Sequence, residues 1–233
     1  MKKHFSYFTI FEWCLWLGSM TVILLSFILL KQTSLLNLVV SLLGATSLIF
    51  LAKGNPFGQI LMILFSAIYG LISYQSAYYG EVFTYVGMTA PMSLLALISW
   101  LKHPYKGNRS QVAVKKMNSK EWWLAISLTI LVTVIFYFLL KALHTANLPV
   151  STLSVTTSFL AVYLTFRRSP YYALAYAAND MVLIGLWLTA TLQNPNYCSV
   201  LICFMIFLVN DLYGFVCWLK MEKQQNTNQK GDS

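Results

Sequence analysis

Residues 207–218 read FLVNDLYGFVCW and place an amide, a carboxylate and a phenol inside a long apolar run. The surrounding run, residues 197–219, is long enough to cross a bilayer as a single helix. Because polar groups are costly in hydrocarbon, those within a span mark a functional site or a contact between helices. The stretch therefore predicts a membrane-spanning helix with a polar binding face or a polar contact with another helix.

The composition of the whole chain is that of a polytopic membrane protein. Of its 233 residues, 58% are hydrophobic and 10% are charged, with a formal net charge of +9. An average soluble domain has about 25% charged residues. Basic loops that obey the positive-inside rule explain the net charge better than nucleic-acid binding does, so we expect no nucleic-acid partner.

The cysteines and histidines do not follow the spacing of a metal site or a disulfide framework. The cysteines lie in apolar runs, as is typical of buried apolar side chains, and the histidines lie near helix ends or in loops. We therefore expect no metal, no cofactor and no disulfide. The residues concerned are Cys14, Cys198, Cys203, Cys217, His4, His103 and His144.

Eight apolar segments of about 18–24 residues are each long enough to span a bilayer. The first has no small-residue cleavage box, so it predicts a span rather than a signal peptide. Residues 1–222 are expected to form one all-α transmembrane domain, and residues 223–233 a polar, disordered cytoplasmic tail. The predicted spans are Thr9–Leu30, Leu35–Ala52, Phe57–Tyr78, Val82–Leu101, Trp122–Leu143, Leu148–Phe166, Tyr171–Leu192 and Tyr197–Leu219.

The basic residues indicate the orientation of these spans. If the N-terminus is cytoplasmic, all of the 16 Lys and Arg residues except Lys31 and Lys141 lie on the cytoplasmic side. The positive-inside rule then predicts that both termini are cytoplasmic and that the number of spans is even. The basic loop at residues 102–121 fits this rule without a partner, although lipid headgroups and a soluble protein are alternative ligands for it.

An internal repeat divides the chain into residues 9–102 and 118–220. Both copies have four spans and enter the membrane from the same side, which makes the repeat parallel. The offsets between matching positions increase from 109 to 118, as expected for loops that lengthen along the chain. In the recurring elements, Glu12-Trp13 matches Glu121-Trp122, Asn55-Pro56 matches Ser169-Pro170, and Trp100 matches Trp218.

The seventh predicted span presents polar and aromatic side chains on one face near the middle of the bilayer. A carboxylate, an amide and three rings on one face are suited to stacking a flat heterocycle and hydrogen-bonding a polyol. The alternative is that Asp180 connects helices and that the rings belong to the core or the membrane interface. The candidate substrate-binding residues are Tyr172, Tyr176, Asn179, Asp180 and Trp187.

In the eighth span, Asn210, Tyr213 and Gly214 share one stripe of the helix. The glycine allows a ligand or a neighbouring backbone to come close. Asp211 lies about 100° around the helix from this stripe. We therefore expect Asn210 and Tyr213 to face the substrate, and Asp211 to face another helix or a basic residue.

The first repeat contributes fewer polar candidates, namely Gln59, Ser66, Tyr69 and Thr89. At the repeat offset of 114, Ser66 matches Asp180, so the two halves differ chemically and an asymmetric ligand is expected. Pro91 should kink the fourth span, either as a hinge or as a packing bend.

Four motifs occur in order along the chain: KGNPFGQ at residues 53–59, IYG at 68–70, GxxxP at 87–91 and NxxYGxxxW at 210–218. Together with eight spans and a basic central loop, they resemble the PnuC family over about residues 5–222. Members of this family are bacterial transporters of nicotinamide riboside and related vitamins or nucleosides. The resemblance implies an uptake transporter of a small nucleoside-like substrate rather than an enzyme.

The resemblance also implies a fold like that of the SWEET sugar transporters. In this fold, two parallel three-helix bundles, formed by spans 2–4 and 6–8, are joined by an inverting fifth span, and the first span is peripheral. A homotrimer surrounded by lipid in the bacterial cytoplasmic membrane is implied, with a mid-membrane site in each protomer. Transport is then facilitated diffusion, and a cytoplasmic kinase traps the substrate by phosphorylating it.

One departure from the family concerns the substrate. Family members that transport nicotinamide riboside carry a Trp-x-x-Trp box in the helix matching the seventh span, where this chain reads YYALAYAAND at residues 171–180. Nicotinamide riboside is the expected substrate by family default, with thiamine, riboflavin and deoxynucleosides as alternatives. A membrane enzyme would need a nucleophile–base pair or a metal cluster, and the sequence shows neither. A membrane-anchored interaction protein is the more distant alternative.

Overall fold

The computed structural model describes residues 7–31, 34–75, 82–145, 147–193 and 195–231. Within these residues, eight helices are long and apolar enough to cross a membrane, which confirms the predicted number of spans. The helices are α1 (Ile10–Leu29), α2 (Leu35–Ala52), α3 (Phe57–Gln75), α4 (Phe83–Thr89 followed directly by Ala90–Lys102), α5 (Ser119–Ala142), α6 (Leu148–Phe166), α7 (Tyr171–Gln193) and α8 (Cys198–Gly231). Between α4 and α5 lie two short strands, β1 (Pro104–Tyr105) and β2 (Asn108–Val112).

The first helix of each repeat begins with the same capping box. In α1, the Thr9 side chain accepts the backbone N–H of Glu12, and the Glu12 carboxylate accepts the backbone N–H of Thr9. In α5, Asn118 and Glu121 make the same reciprocal pair. Such a box satisfies N–H groups that have no partner in the first turn of a helix. The two caps lie 109 residues apart, an offset that also relates the matching tryptophans that follow them.

Each capping glutamate also binds a basic residue at the end of the next helix. Lys53 Nζ, just after α2, lies 3.0 Å from Glu12 Oε1. Arg167, just after α6, pairs with Glu121 in the same way. We call the side of the bundle that carries these pairs the terminal face, because α1 begins there and α8 extends beyond it. The other side is the opposite face.

The two halves have the same order of helix contacts. Within the first half α3 contacts both α2 and α4, and within the second half α7 contacts both α6 and α8. The halves meet where α2 contacts α8 and where α4 contacts α6. The spanning windows of α1 and α5 are 22% and 17% buried, against 33–50% for the other six helices, so these two helices bury the least of their surface.

A π-helical segment, Phe83–Thr89, precedes Pro91 at the point where the sequence predicts a kink. Proline has no N–H group, so a carbonyl one turn earlier loses its usual donor. A single wider turn is a common way to accommodate such a site within a helix. The Thr89 hydroxyl supports this turn by donating to the Thr84 carbonyl at 3.0 Å.

The central loop contains a small antiparallel hairpin that the all-α prediction did not include. Its strands β1 and β2 are joined by Lys106 and Gly107, whose φ angles are 47° and 78°. A two-residue hairpin turn of the favoured type requires positive φ at both positions. The hairpin lies at the terminal face, between the two repeats.

The prediction of a disordered tail is wrong for residues 223–231, which continue α8 as a helix. Gln225 is only 5% exposed. Its side chain accepts the N–H of Val114 at 2.8 Å and donates to the carbonyl of Val112 at 3.1 Å. These two bonds hold the tail against the central loop, and the polar composition of the tail gave no sign of them.

Gly58 provides a test of the packing between α2 and α3. A Cβ at this position would lie 2.8 Å from the backbone nitrogen of Leu51. We expect Gly58→Ala to lower the free energy of unfolding by about 1–3 kcal/mol, because the backbone must shift to admit the methyl group. Gly185 is the control, since no heavy atom of the described residues beyond its chain neighbours and its own helix backbone lies within 4 Å of its Cβ position. Equal unfolding temperatures for Gly58→Ala and Gly185→Ala in detergent would contradict this packing.

Candidate functional site

Two buried aspartates lie side by side in the middle of the bundle. Asp180 lies nine residues after the start of α7 at Tyr171, and Asp211 lies nine residues before Lys220. At 1.5 Å per residue, both lie about 14 Å from the terminal face. They are 4% and 5% exposed, and their carboxyl groups are close enough to interact. Two neighbouring buried carboxyl groups oppose each other's ionisation, so a single negative charge on this acid pair is favoured.

The first repeat has serines at both equivalent positions. Ser66 precedes Asp180 by 114 residues and Ser93 precedes Asp211 by 118, which are offsets of the repeat. The serines are 0% and 2% exposed. Each also lies nine residues from the terminal end of its helix. We call these four residues the mid-depth belt. Sequence analysis missed Ser93, although the offset between the two repeated tryptophans would have identified it.

Four predicted site residues have a buried polar atom without a hydrogen-bond partner in the described part of the chain: Gln59 Nε2, Ser66 Oγ, Asp180 Oδ2 and Asn210 Oδ1. Other such atoms lie on the turn at residues 167–169. Buried polar atoms in folded proteins are nearly always paired. The belt therefore has donor and acceptor capacity that a polar ligand or water would satisfy. Among the described residues, no three His, Cys, Asp or Glu side chains are grouped as metal ligands.

A cavity of about 230 Å³ extends from the opposite face towards the belt. It lies between α1, α2, α3, α7 and α8, and its wall includes two predicted site residues, Tyr69 and Trp187. Cys203 also lines it. The Cys203 thiol hydrogen-bonds Ser41 and is close enough to Asp180 for an electrostatic interaction. The inner part of the cavity is therefore within electrostatic reach of Asp180, although neither aspartate lines its wall.

Aromatic rings form one wall of this cavity. Phe65 stacks on Tyr69 with ring centroids 5.7 Å apart and planes inclined by 14°. Phe207 lies 6.2 Å from Phe65. Helix α2 approaches these rings closely because residue 44 is glycine, and a Cβ there would lie 2.6 Å from Phe207. Rings in this arrangement offer faces and edges on which a planar heterocycle can stack.

Tyr172 and Tyr176 lie between the acid pair and the terminal face. Tyr172 is 1% exposed, and its ring centroid lies 4.9 Å from that of Trp218. Tyr176 is only partly buried and lies 6.1 Å from Tyr172. Its hydroxyl hydrogen-bonds the Thr165 side chain. Tyr172 is therefore enclosed by other protein side chains, whereas Tyr176 lies one helical turn from the belt.

Asn179 faces α6 rather than the acid pair. Its side-chain oxygen accepts hydroxyl hydrogen bonds at 3.3, 2.9 and 3.0 Å from Ser154, Thr157 and Ser158. Thr89 is also engaged locally, because its hydroxyl bonds a carbonyl of its own helix. The single polar face predicted for α7 is therefore divided between two neighbouring helices.

Asn210 and Tyr213, the predicted substrate-facing residues of α8, contact α1, whereas Asp211 faces another helix, α7, which is one of the two orientations expected for it. Asn210 Nδ2 donates to Ser19 Oγ on α1 at 3.0 Å. The Tyr213 ring lies 5.2 Å from that of Phe11, also on α1. Helix α1 thus covers this stripe of α8, and α7 covers the stripe that carries Asp211. The periodicity of one helix does not show which neighbour covers each face.

The eight spans, the buried polar belt at mid-depth and the cavity that extends towards it from one face define a multi-pass membrane protein of the transporter class. A family profile described as nicotinamide mononucleotide transporter matches residues 34–220. Because this match covers most of the chain, the chain belongs to that family, and the predicted resemblance to PnuC proteins is confirmed. The matched region begins at the N-terminus of α2 and does not include α1.

Individual relatives agree with the family match. The nicotinamide riboside transporter PnuC of Neisseria mucosa is 24% identical over 193 residues, which cover 81% of this chain and 73% of the relative. The protein of the same name from Haemophilus influenzae is 21% identical over 194 residues, which cover 83% of each chain. The crystal structure of the vitamin B3 transporter PnuC has the same fold, with a TM-score of 0.81 and 22% identity over 94% of each chain.

Proposed function

We propose that the protein takes up an unphosphorylated, nucleoside-like vitamin and that its substrate is nicotinamide riboside. The observation that carries this proposal is the buried acid pair, Asp180 and Asp211, which lies beyond the inner part of the cavity, within electrostatic reach of Cys203. Nicotinamide riboside has a positively charged pyridinium ring and a ribose with several hydroxyl groups. A carboxylate in a water-poor site attracts a cation strongly, and its oxygens accept hydroxyl hydrogen bonds. The name of the curated relatives supports the same substrate.

The riboside is favoured over the mononucleotide that gives the family its description. The sequence places no Lys or Arg in the middle of any span. A phosphate monoester carries about −1.5 to −2 charges at pH 7. It would lie near the acid pair without a basic partner, so repulsion and desolvation would both oppose its binding.

Thiamine is the second candidate, because it is also a cation with flat rings. The cavity of about 230 Å³ is small, since sites for drug-sized ligands occupy roughly 300–1,000 Å³. This size disfavours the three-ring system of riboflavin. Neutral deoxynucleosides would gain less from the acid pair than a cation does.

The aromatic wall of Phe65, Tyr69 and Phe207 would stack the substrate ring in place of the absent Trp-x-x-Trp box.

In this proposal, the predicted site residues divide into two groups. The residues proposed to contact the substrate lie at mid-depth, within one turn of it or along the cavity, namely Ser66, Tyr69, Tyr176, Asp180 and Trp187, together with Gln59, which lies nearer the terminal face. The remaining residues hold the surrounding helices in place, namely Thr89, Tyr172, Asn179, Asn210 and Tyr213. The contacts described above for Asn179 with α6 and for Asn210 with α1 support this division.

The proposed architecture is two parallel three-helix bundles, α2–α4 and α6–α8, joined by the inverting helix α5, with α1 peripheral as in SWEET sugar transporters. The helix contacts and the low burial of α1 and α5 support it. Basic residues concentrated at the terminal face support cytoplasmic termini in a bacterial inner membrane. We further propose a homotrimer in lipid and facilitated diffusion, with a cytoplasmic kinase that traps the substrate and no catalysis by the protein itself.

Calorimetric titration of the purified protein tests the proposed substrate. The ligands are nicotinamide riboside, thiamine, riboflavin, a deoxynucleoside and nicotinamide mononucleotide. We expect both cations to bind at least about tenfold more tightly than the mononucleotide, a difference of about 1.4 kcal/mol. Equal affinity for the riboside and its mononucleotide would overturn the proposal.

A further inference from the structure

We infer that Trp100 and Trp218 form a gate that closes the terminal face, and that breaking their hydrogen bonds exposes the mid-depth belt to that face. We call these two residues the terminal gate. The inference rests on the proposed transport function. The two gate residues are not among the residues proposed to contact the substrate.

Each of the two indoles donates a hydrogen bond to a backbone carbonyl in the other half of the bundle. Trp100 Nε1 on α4 donates to the Thr165 carbonyl of α6 at 2.9 Å. Trp218 Nε1 on α8 donates to the Leu51 carbonyl of α2 at 2.8 Å. Both tryptophans are 0% exposed, and their rings are 5.3 Å apart. The carbonyls are 114 residues apart and the indoles 118, so both bonds follow the repeat.

The gate can open without leaving a carbonyl unpaired. The Leu51 carbonyl also accepts the N–H of Gly54, and the Thr165 carbonyl also accepts the N–H of Arg168. Each indole therefore binds a carbonyl that already has a donor within its own half, using its second lone pair. Because an unpaired buried carbonyl is costly, this second donor keeps the cost of breaking the indole bond low.

A strap, residues 112–115 of the central loop, adds a second pair of bonds at the same face. The Val112 N–H donates to the Gly54 carbonyl at 2.9 Å, and the Lys115 N–H donates to the Arg168 carbonyl at 3.0 Å. Gly54 and Arg168 are also 114 residues apart, and their φ angles are 65° and 60°. The strap thus connects equivalent turns of the two halves, and the α8 tail bonds to it through Gln225.

Like charges oppose the closed position of the strap. Burial, followed by the neighbouring Arg167 and Arg168, lowers the pKa of Lys115, so its positive charge is unfavourable in this position. Burial and Arg167 also lower the pKa of Arg168. Glu121 pairs with Lys115 and Arg167 but neutralises only one of the three positive charges. The Arg168 guanidinium offsets part of this repulsion, because it donates to the Ala113 carbonyl of the strap at 3.5 Å.

The cavity and the terminal gate lie on different sides of the mid-depth belt. The cavity extends from the opposite face to Cys203 and Phe207. Trp218 lies two residues from Lys220 at the terminal end of the span. The belt is therefore approached from one face and closed at the other, as expected for one state of an alternating-access protein. Cys203, at the inner part of the cavity, can report access from each face.

Alkylation of Cys203 by a membrane-impermeant maleimide tests the inference. The full-length protein is placed in membrane vesicles of both orientations, so that the reagent reaches one face at a time. The other cysteines are replaced by serine, in the background Cys14→Ser, Cys198→Ser and Cys217→Ser. The rate of labelling from the terminal face then measures how often that face is open.

The gate variants are Trp100→Phe and Trp218→Phe, which keep an aromatic ring and lose the donor. A neutral hydrogen bond shifts an equilibrium by roughly fivefold. We therefore expect labelling from the terminal face to rise roughly fivefold in each variant, and labelling from the opposite face to fall. Gln225→Ala releases the strap without altering the indoles. We expect it, like the gate variants, to raise labelling from the terminal face and to lower labelling from the opposite face. It replaces a tryptophan variant that does not fold.

Trp16→Phe is the matched control. Trp16 Nε1 donates to Thr46 Oγ1 at 3.2 Å, a bond that lies within the first half. This variant should change neither labelling rate. Rates that rise together at both faces would show a loosened fold and overturn the inference, as would gate variants that label like Trp16→Phe. No substrate is present, so failure to bind nicotinamide riboside would overturn the proposed function and leave this result intact.

Discussion

Asp180→Asn combined with Asp211→Asn is expected to weaken the binding of nicotinamide riboside by about 100-fold or more. The double substitution keeps the shape of both side chains and removes the only negative charge of the belt. Interactions with a charged group contribute about 1.5–3 kcal/mol, and the upper value corresponds to about 100-fold. Each single substitution leaves one carboxyl group able to ionise, so we expect a loss of about tenfold from either alone.

Ser66→Ala and Ser93→Ala are the matched controls at the equivalent positions of the first repeat. They remove neutral hydroxyls at the same depth, so we expect less than about a tenfold loss. Titration of purified variants that remain folded by size-exclusion chromatography measures all of these affinities. A double asparagine variant that binds the riboside as tightly as the unmodified protein would show that the acid pair is not the cation site.

Asn179→Leu should lower the stability of the protein much more than it lowers the affinity of the folded fraction. The asparagine oxygen accepts three hydroxyl hydrogen bonds from α6, and leucine offers no acceptor in its place. With a net loss of about 2 kcal/mol, the unfolding temperature should fall by about 4–8 °C. Thermal unfolding in detergent measures this change, and titration with nicotinamide riboside measures affinity.

Thr156→Val is the control for this substitution. The Thr156 hydroxyl lies 2.8 Å from that of Thr133 on α5, and each hydroxyl also bonds a carbonyl of its own helix. The Thr133 hydroxyl keeps that local acceptor when its partner is lost, so we expect a much smaller decrease in unfolding temperature. If Asn179→Leu instead abolished binding and left stability unchanged, Asn179 would belong to the substrate site.

Features that depend on local sequence were predictable. The bounds of α2 and α6 agree with the predicted spans, because apolar length and adjacent turns determine where such helices begin and end. The depth of Asp180 follows in the same way from its position within α7. The repeat also related Trp100 to Trp218, although the bonds that these indoles make between the halves were not visible in either helix alone.

Features that depend on how helices rotate against each other were not predictable. The spacing separates Asn210 from Asp211 by about 100°, but it does not show that α1 covers Asn210 and that α7 covers Asp211. Only the positions of α1 and α7 determine which of these side chains faces Asp180. The helical tail was missed for a related reason, since Gln225 is held by backbone groups of a loop more than 100 residues earlier.

Uptake of radiolabelled nicotinamide riboside into proteoliposomes tests the proposed function most directly. We expect saturable uptake without an ion gradient, which stops when the internal and external concentrations are equal. Unlabelled riboside should compete with it, nicotinamide mononucleotide should not, and the double asparagine variant should show no uptake above empty liposomes. Riboside uptake no faster than in empty liposomes, or equally fast uptake of the labelled mononucleotide, would contradict transport of an unphosphorylated cation past the acid pair.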